Sequence, residues 1–183
     1  MKTETLKKHI IDTVKEWQMK IGYMDEDMKL YYPMDSLKTM LGLEKNVEKV
    51  ELDHALQKFA ENVRGELGEL KITDSNGRYC LDISPEGCAW IEENVPEPGF
   101  LKALLAIITS GDKGMEEVRR CFGEYAKKYG CSYTEENESC HGMGHVFFFD
   151  DPASDEYVYC VEENEFGLTY HRFGRDDYKN EMP

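Results

Sequence analysis

Apolar positions along the first hundred residues follow two periods. Leu6, Ile10, Val14, Trp17 and Ile21, with Ile11 beside them, lie three or four apart and predict one helix face. Gly22, free to take a left-handed stop conformation, ends it. After the polar loop MDEDMK, KLYYP predicts a short strand closed by Pro33. Asp35 is placed to cap a short helix through Leu37, Met40 and Leu41 that stops at Gly42. A third helix, from about Val47 to Gly65, carries the stripe Leu52, Leu56, Phe59 and Val63. The period then changes to two. LKIT and YCLDI flank DSNG, where Asn76-Gly77 supplies residues that tolerate positive φ in a tight turn, so a hairpin is expected. Leu70 and Ile72 then share a face with Tyr79, Leu81 and Ile83. Ser84 and Pro85 open a further helix: serine accepts from a free backbone amide, and proline has no N–H to leave unmet. Trp90, Ile91 and Val95 cover the hairpin's apolar side.

This order of helix, strand, helix, helix, hairpin, helix resembles the winged-helix superfamily over residues 1–95, and ISPEGCAWIEE is similar to that superfamily's junction between last strand and last helix. The resemblance implies a winged-helix-like domain whose third helix is the element that would enter a DNA groove. PEPG then breaks the chain, and residues 96–183 form the second expected domain. Phe100 to Ile108 is apolar nearly all round, which fits a buried helix or, as the rarer alternative, a homodimer contact. Asp112 is placed to cap a helix with the stripe Met115, Val118, Phe122, Tyr125 and Tyr129, ended by Gly130. CSYTEE, HVFFF, YVYCV and LTYHRF read as strands, and their short connections favour an antiparallel meander. The fold class expected is therefore α+β: a winged-helix-like domain, then two helices and a four-stranded antiparallel sheet. LYYPMDSL, YVYC and YHRFGRDDY are similar to phrases of an uncharacterised family of Gram-positive gut-bacterial proteins, a domain of unknown function. That resemblance spans most of the chain and implies no activity.

Charge narrows the function classes. The net charge is −15, with 13 basic and 19 acidic side chains in residues 1–95 and 9 and 18 in residues 96–183, so both halves repel phosphate at long range. His54, Gln57, Lys58 and Arg78 are the residues a DNA-reading third helix and wing would use. Around them, however, stand Asp53, Glu61, Glu69, Asp74 and Asp82, and the surface lacks the several phosphate contacts that site binding uses. The most basic segment, with Lys7, Lys8, Lys15 and Lys20, reads as the solvated face of the first helix.

One constellation carries metal chemistry. CSYTEENESCHGMGH supplies Cys140, His141 and His145, all zinc-ligand types. The meander brings the turn with Glu162, Glu163 and Glu165 to the same end of the sheet, so Glu163 can complete a mixed zinc site. The spacing matches none of the common zinc motifs, and polar loop residues without a metal are the competing reading. There is no GxSxG, no phosphate-cradling glycine loop and no HExxH, and no catalytic residue or other cofactor is assigned. Phe147, Phe149, Tyr157, Tyr159 and Tyr170 form a sheet core or, alternatively, line a ligand cleft. Six cysteines without a CxxC pair fit reduced thiols, and FLKALLAIIT is too short to span a bilayer, so a cytoplasmic location with no membrane partner is expected. The favoured reading is a non-enzymatic binding or regulatory module acting through protein contacts or a small ligand. The alternatives are a winged-helix DNA-binding transcriptional regulator and a metal-dependent enzyme.

Overall fold

The structure, a computed structural model, describes residues 3–23, 25–75, 78–137, 144–175 and 178. The chain forms two compact units, Met1–Glu97 and Pro98–Pro183. Its elements are those of an α+β protein, with a three-stranded and a four-stranded antiparallel sheet. Among the described residues no helix is long and apolar enough to cross a membrane.

The first unit runs α1 (Thr3–Ile21), β1 (Met28–Pro33), α2 (Met34–Leu41), α3 (Lys49–Leu67), β2 (Leu70–Ser75), β3 (Arg78–Ile83) and α4 (Pro85–Asn94). Strand β1 joins the hairpin on the far side of β3, giving the order β1-β3-β2. The register pairs Leu30 and Ile72 with Leu81, and Met28 and Leu70 with Ile83, so one apolar face meets the helices. Leu6, Ile10, Val14, Leu52, Phe59, Leu67, Leu81 and Ile83 are fully buried in that core. Each such side chain stabilises the unit by roughly 1.5–3 kcal/mol relative to exposure. The Asn76-Gly77 turn lies outside the described residues, while the pair that flanks it, Ser75 and Arg78, is in register.

Three expectations about this unit are corrected. Trp17 and Ile21 leave the core, at 48% and 55% exposure, while Gln18 at 7% and Lys15 at 4% turn inward. Continuing in steps of four from Val14 reaches Gln18, and α4 packs against that side of α1. Lys15 is therefore not on a solvated face: its ammonium lies 2.7 Å from Glu92 Oε2 on α4 and also donates to the Glu92 carbonyl. Asp35 does not cap α2, because Pro33 holds the cap position and Asp35 sits in the first turn. By contrast, Ser84 does accept from the Gly87 amide at the start of α4.

The second unit runs α5 (Gly99–Ile108), α6 (Met115–Tyr129), β4 (Tyr133–Glu136), β5 (His145–Phe149), β6 (Tyr157–Asn164) and β7 (Gly167–Gly174), with the strands in sequential antiparallel order. On α5, Phe100, Leu101, Leu104 and Leu105 are buried while Lys102 and Ala106 are exposed, so this helix has an inner and an outer side. The rings of Phe147, Phe149 and Tyr159 are fully buried and pack edge-on, tilted or stacked against Phe100 and Phe122, with centroids 4.8–5.7 Å from those two. The aromatic sheet face is thus filled by the two helices, and the alternative in which it lines a ligand cleft gives way to core. Asp112 does not cap α6. Gly114 holds that position, and two carboxylates take up the amides: Glu117 accepts from the Gly114 N–H at 3.2 Å and Glu163, reaching across from β6, from Met115 at 3.4 Å.

Candidate functional site

The residues proposed for nucleic-acid contact lie on α3 and the hairpin. His54, Gln57, Lys58 and Arg78 are all exposed. Between the two elements is a cleft of about 240 Å³ lined by Asp53, Leu56, Gln57, Ile72, Asp74 and Tyr79. Helical spacing puts Asp53 one turn before Gln57, and the register places Asp74 opposite Tyr79, so two carboxylates converge on the groove. The Tyr79 hydroxyl donates to Asp53 Oδ1 at 2.7 Å. Burial, with that carboxylate beside it, pushes the hydroxyl well above its usual range and keeps it neutral. Lys49, at the start of α3, lies 2.6 Å from Asp74 Oδ2.

Several cations elsewhere in this unit are engaged as well. Lys7 pairs with Glu66, Lys8 with Asp12, Lys15 with Glu92 and Lys20 with Glu16, while the buried Lys38 ammonium donates to the Lys45 carbonyl. The partners of the four α1 lysines come from α1 itself, α3 and α4, so these side chains are spent on internal contacts. A phosphate approaching these paired cations would have to displace carboxylates already in place, at a desolvation cost to both.

Of the candidate metal residues, His145 and Glu163 lie at one end of the second unit's sheet, and Cys140 and His141 lie outside the described residues. His145 opens β5, its Nδ1 2.8 Å from Glu135 Oε1 on β4 but out of hydrogen-bond alignment. Glu135 accepts from Arg119 Nε and Nη2 on α6 at 2.9–3.1 Å, and Arg119 also donates to Glu116. Hydrogen bonding from Arg119, assisted by His145, holds the Glu135 carboxyl below the usual carboxylate range. Glu163 is occupied at the start of α6 rather than turned to His145. Among the described residues no group of three or more His, Cys, Asp or Glu side chains is arranged to hold a metal ion. Sequence reasoning missed the pairing of Arg119 with Glu135, whose only signal was strand alternation placing Glu135 on the same face as Tyr133 and toward α6.

The depressed Glu135 carboxyl has a pH consequence. A folded-state value below the unfolded one contributes stability that is present at neutral pH and lost as pH falls through the folded value. The stability gap between wild type and Glu135→Gln, from urea melts, is expected to be largest near pH 7 and to shrink below about pH 4. An unchanged gap at acid pH would mean that the Arg119 contact carries no stability.

Together these elements define a two-unit α+β protein with an acid-lined groove beside α3. The chain belongs to the family described as a domain of unknown function, E. rectale gene description (DUF3877), whose model matches residues 3–182. No curated protein and no solved structure matches it.

Proposed function

We propose that this chain is a cytoplasmic, non-enzymatic binding or regulatory module whose first unit is a winged helix that does not read DNA. Support for the winged helix is the element order together with β1 flanking the hairpin in a β1-β3-β2 sheet. The observation that carries the functional reading is the groove between α3 and the wing, whose lining among the described residues holds Asp53 and Asp74 and no Lys or Arg, with Lys49 paired to Asp74 beside it. A fold does not fix a function, and a winged helix with this surface is suited to protein contacts or a small ligand. Binding of a fluorescently labelled random-sequence duplex, followed by anisotropy, tests the reading. No saturable rise is expected; nanomolar, salt-sensitive binding restores the DNA-binding regulator.

A second reading, a metal centre at the end of the meander, draws support from His145. With Nδ1 turned to Glu135, its Nε2 is the nitrogen left for a ligand, and a carboxylate behind a histidine is a common support of metal sites. Glu163 would have to leave the α6 amides to join it. Elemental analysis of untagged protein decides: zinc near one equivalent supports this reading, and less than about a tenth of an equivalent ends it.

A further inference from the structure

We infer that a cleft at the C-terminal end of α1 binds a small apolar molecule carrying a protonated amine. The cleft, about 250 Å³, lies among α1, β1 and α4, with Trp17, Gln18, Ile21, Met28, Leu30 and Cys88 in its wall and Glu26 and Asp27 beside them. This deepens the binding-module reading and rests on it, but it uses elements other than α3 and the wing.

Three observations converge there. Trp17 and Ile21 are about half exposed although they continue the apolar stripe of α1, and Tyr23, 43% exposed, follows them. Leaving two such side chains half in water forgoes part of their burial energy, which an apolar ligand would recover. Gln18 is 7% exposed; its Nε2 donates to the Cys88 carbonyl at 2.8 Å, while its Oε1 is buried with no hydrogen-bond partner among the described residues. A buried acceptor left unmet is costly, and Gln18 belongs to the cleft wall, so the site is short of an N–H or O–H donor. The charged members of the lining are Glu26 and Asp27 against Lys29, and exposed Asp25 stands next to them, so the field selects a cation over an anion. Burial and Asp27 hold the Cys88 thiol above its usual range, and it serves as a neutral wall. The volume lies below the usual range for ligand sites, about 300–1,000 Å³, and suits one ring or a short aliphatic chain.

The test titrates the full chain, labelled with ¹⁵N, with 2-phenylethylamine and in parallel with 3-phenylpropionate, a probe of the same ring and similar length but opposite charge. Saturable shifts of the Trp17 indole and Gln18 side-chain amide resonances are expected with the amine, with affinity for the acid at least about tenfold weaker. Trp17→Ala, a change at an exposed position, is expected to weaken amine binding by about tenfold with the rest of the spectrum retained. Gln18→Met, which removes the acceptor, is expected to weaken it as well. No saturable shift at millimolar amine, equal affinity for the acid, or shifts confined to the second unit would overturn the inference. Duplex binding at α3 would defeat the non-DNA reading and leave these outcomes unchanged.

Discussion

Replacing Phe122 by alanine is expected to lower the stability of the second unit by about 3–5 kcal/mol, the range for a large aromatic removed from a closed core. Phe122 is fully buried, and its ring meets Phe100, Tyr133, Phe147, Phe149 and Tyr159 from α5 and three different strands. No single neighbour can move into the vacated space without breaking its own packing, so the cavity term adds to the lost transfer energy. Urea unfolding followed by near-UV circular dichroism measures the loss. A change below about 1 kcal/mol would mean that the aromatic layer collapses easily and is not the core of this unit.

Gly87→Ala is expected to cost about 2–3 kcal/mol in the first unit. A β-carbon there would overlap the Leu67 carbonyl at the end of α3 and sit 3.0 Å from Ile83 Cγ2. Both obstacles are held in place, one by helix backbone and the other by the core. Relief requires α4 to move away from α3, which would also disturb Cys88, whose carbonyl receives the Gln18 amide. Gly65→Ala is the control: that glycine lies inside α3 with open space at its β-carbon, so the change is expected to stabilise by about 0.5–1 kcal/mol. Thermal melts of the two variants beside wild type measure the difference, and similar shifts in both would contradict the close crossing of α3 and α4.

What periodicity governs was legible in the chain. Leu70, Ile72, Leu81 and Ile83 alternate, and the hairpin has that register; Leu52, Leu56, Phe59 and Val63 recur at helical spacing, and all four are buried. Where a stripe stops being covered is a tertiary fact, so Trp17 read as core although Gln18 is the residue that turns inward. Caps failed at Asp35 and Asp112 because a capping side chain matters only at the residue where the helix begins, and those starts were set by Pro33 and by carboxylates gathered around Gly114. Counting charges gave the poverty of cations around α3. It could not give the pairing of Lys7 with Glu66 or Lys15 with Glu92, because the partners are 59 and 77 residues apart. The contact of Arg119, Glu135 and His145 was hidden for the same reason, while the candidate ligand His145 was visible by its residue type alone.

The most direct measurement is the affinity of the full chain for a random-sequence duplex of roughly 30 base pairs as a function of salt, starting near 50 mM, where phosphate contacts are strongest. With Asp53 and Asp74 in the groove and Lys49 held by Asp74, the expected result is no saturable complex even at the lowest salt. A nanomolar complex whose logarithmic affinity falls with log salt at a slope of several charges would show that the groove face holds phosphate after all.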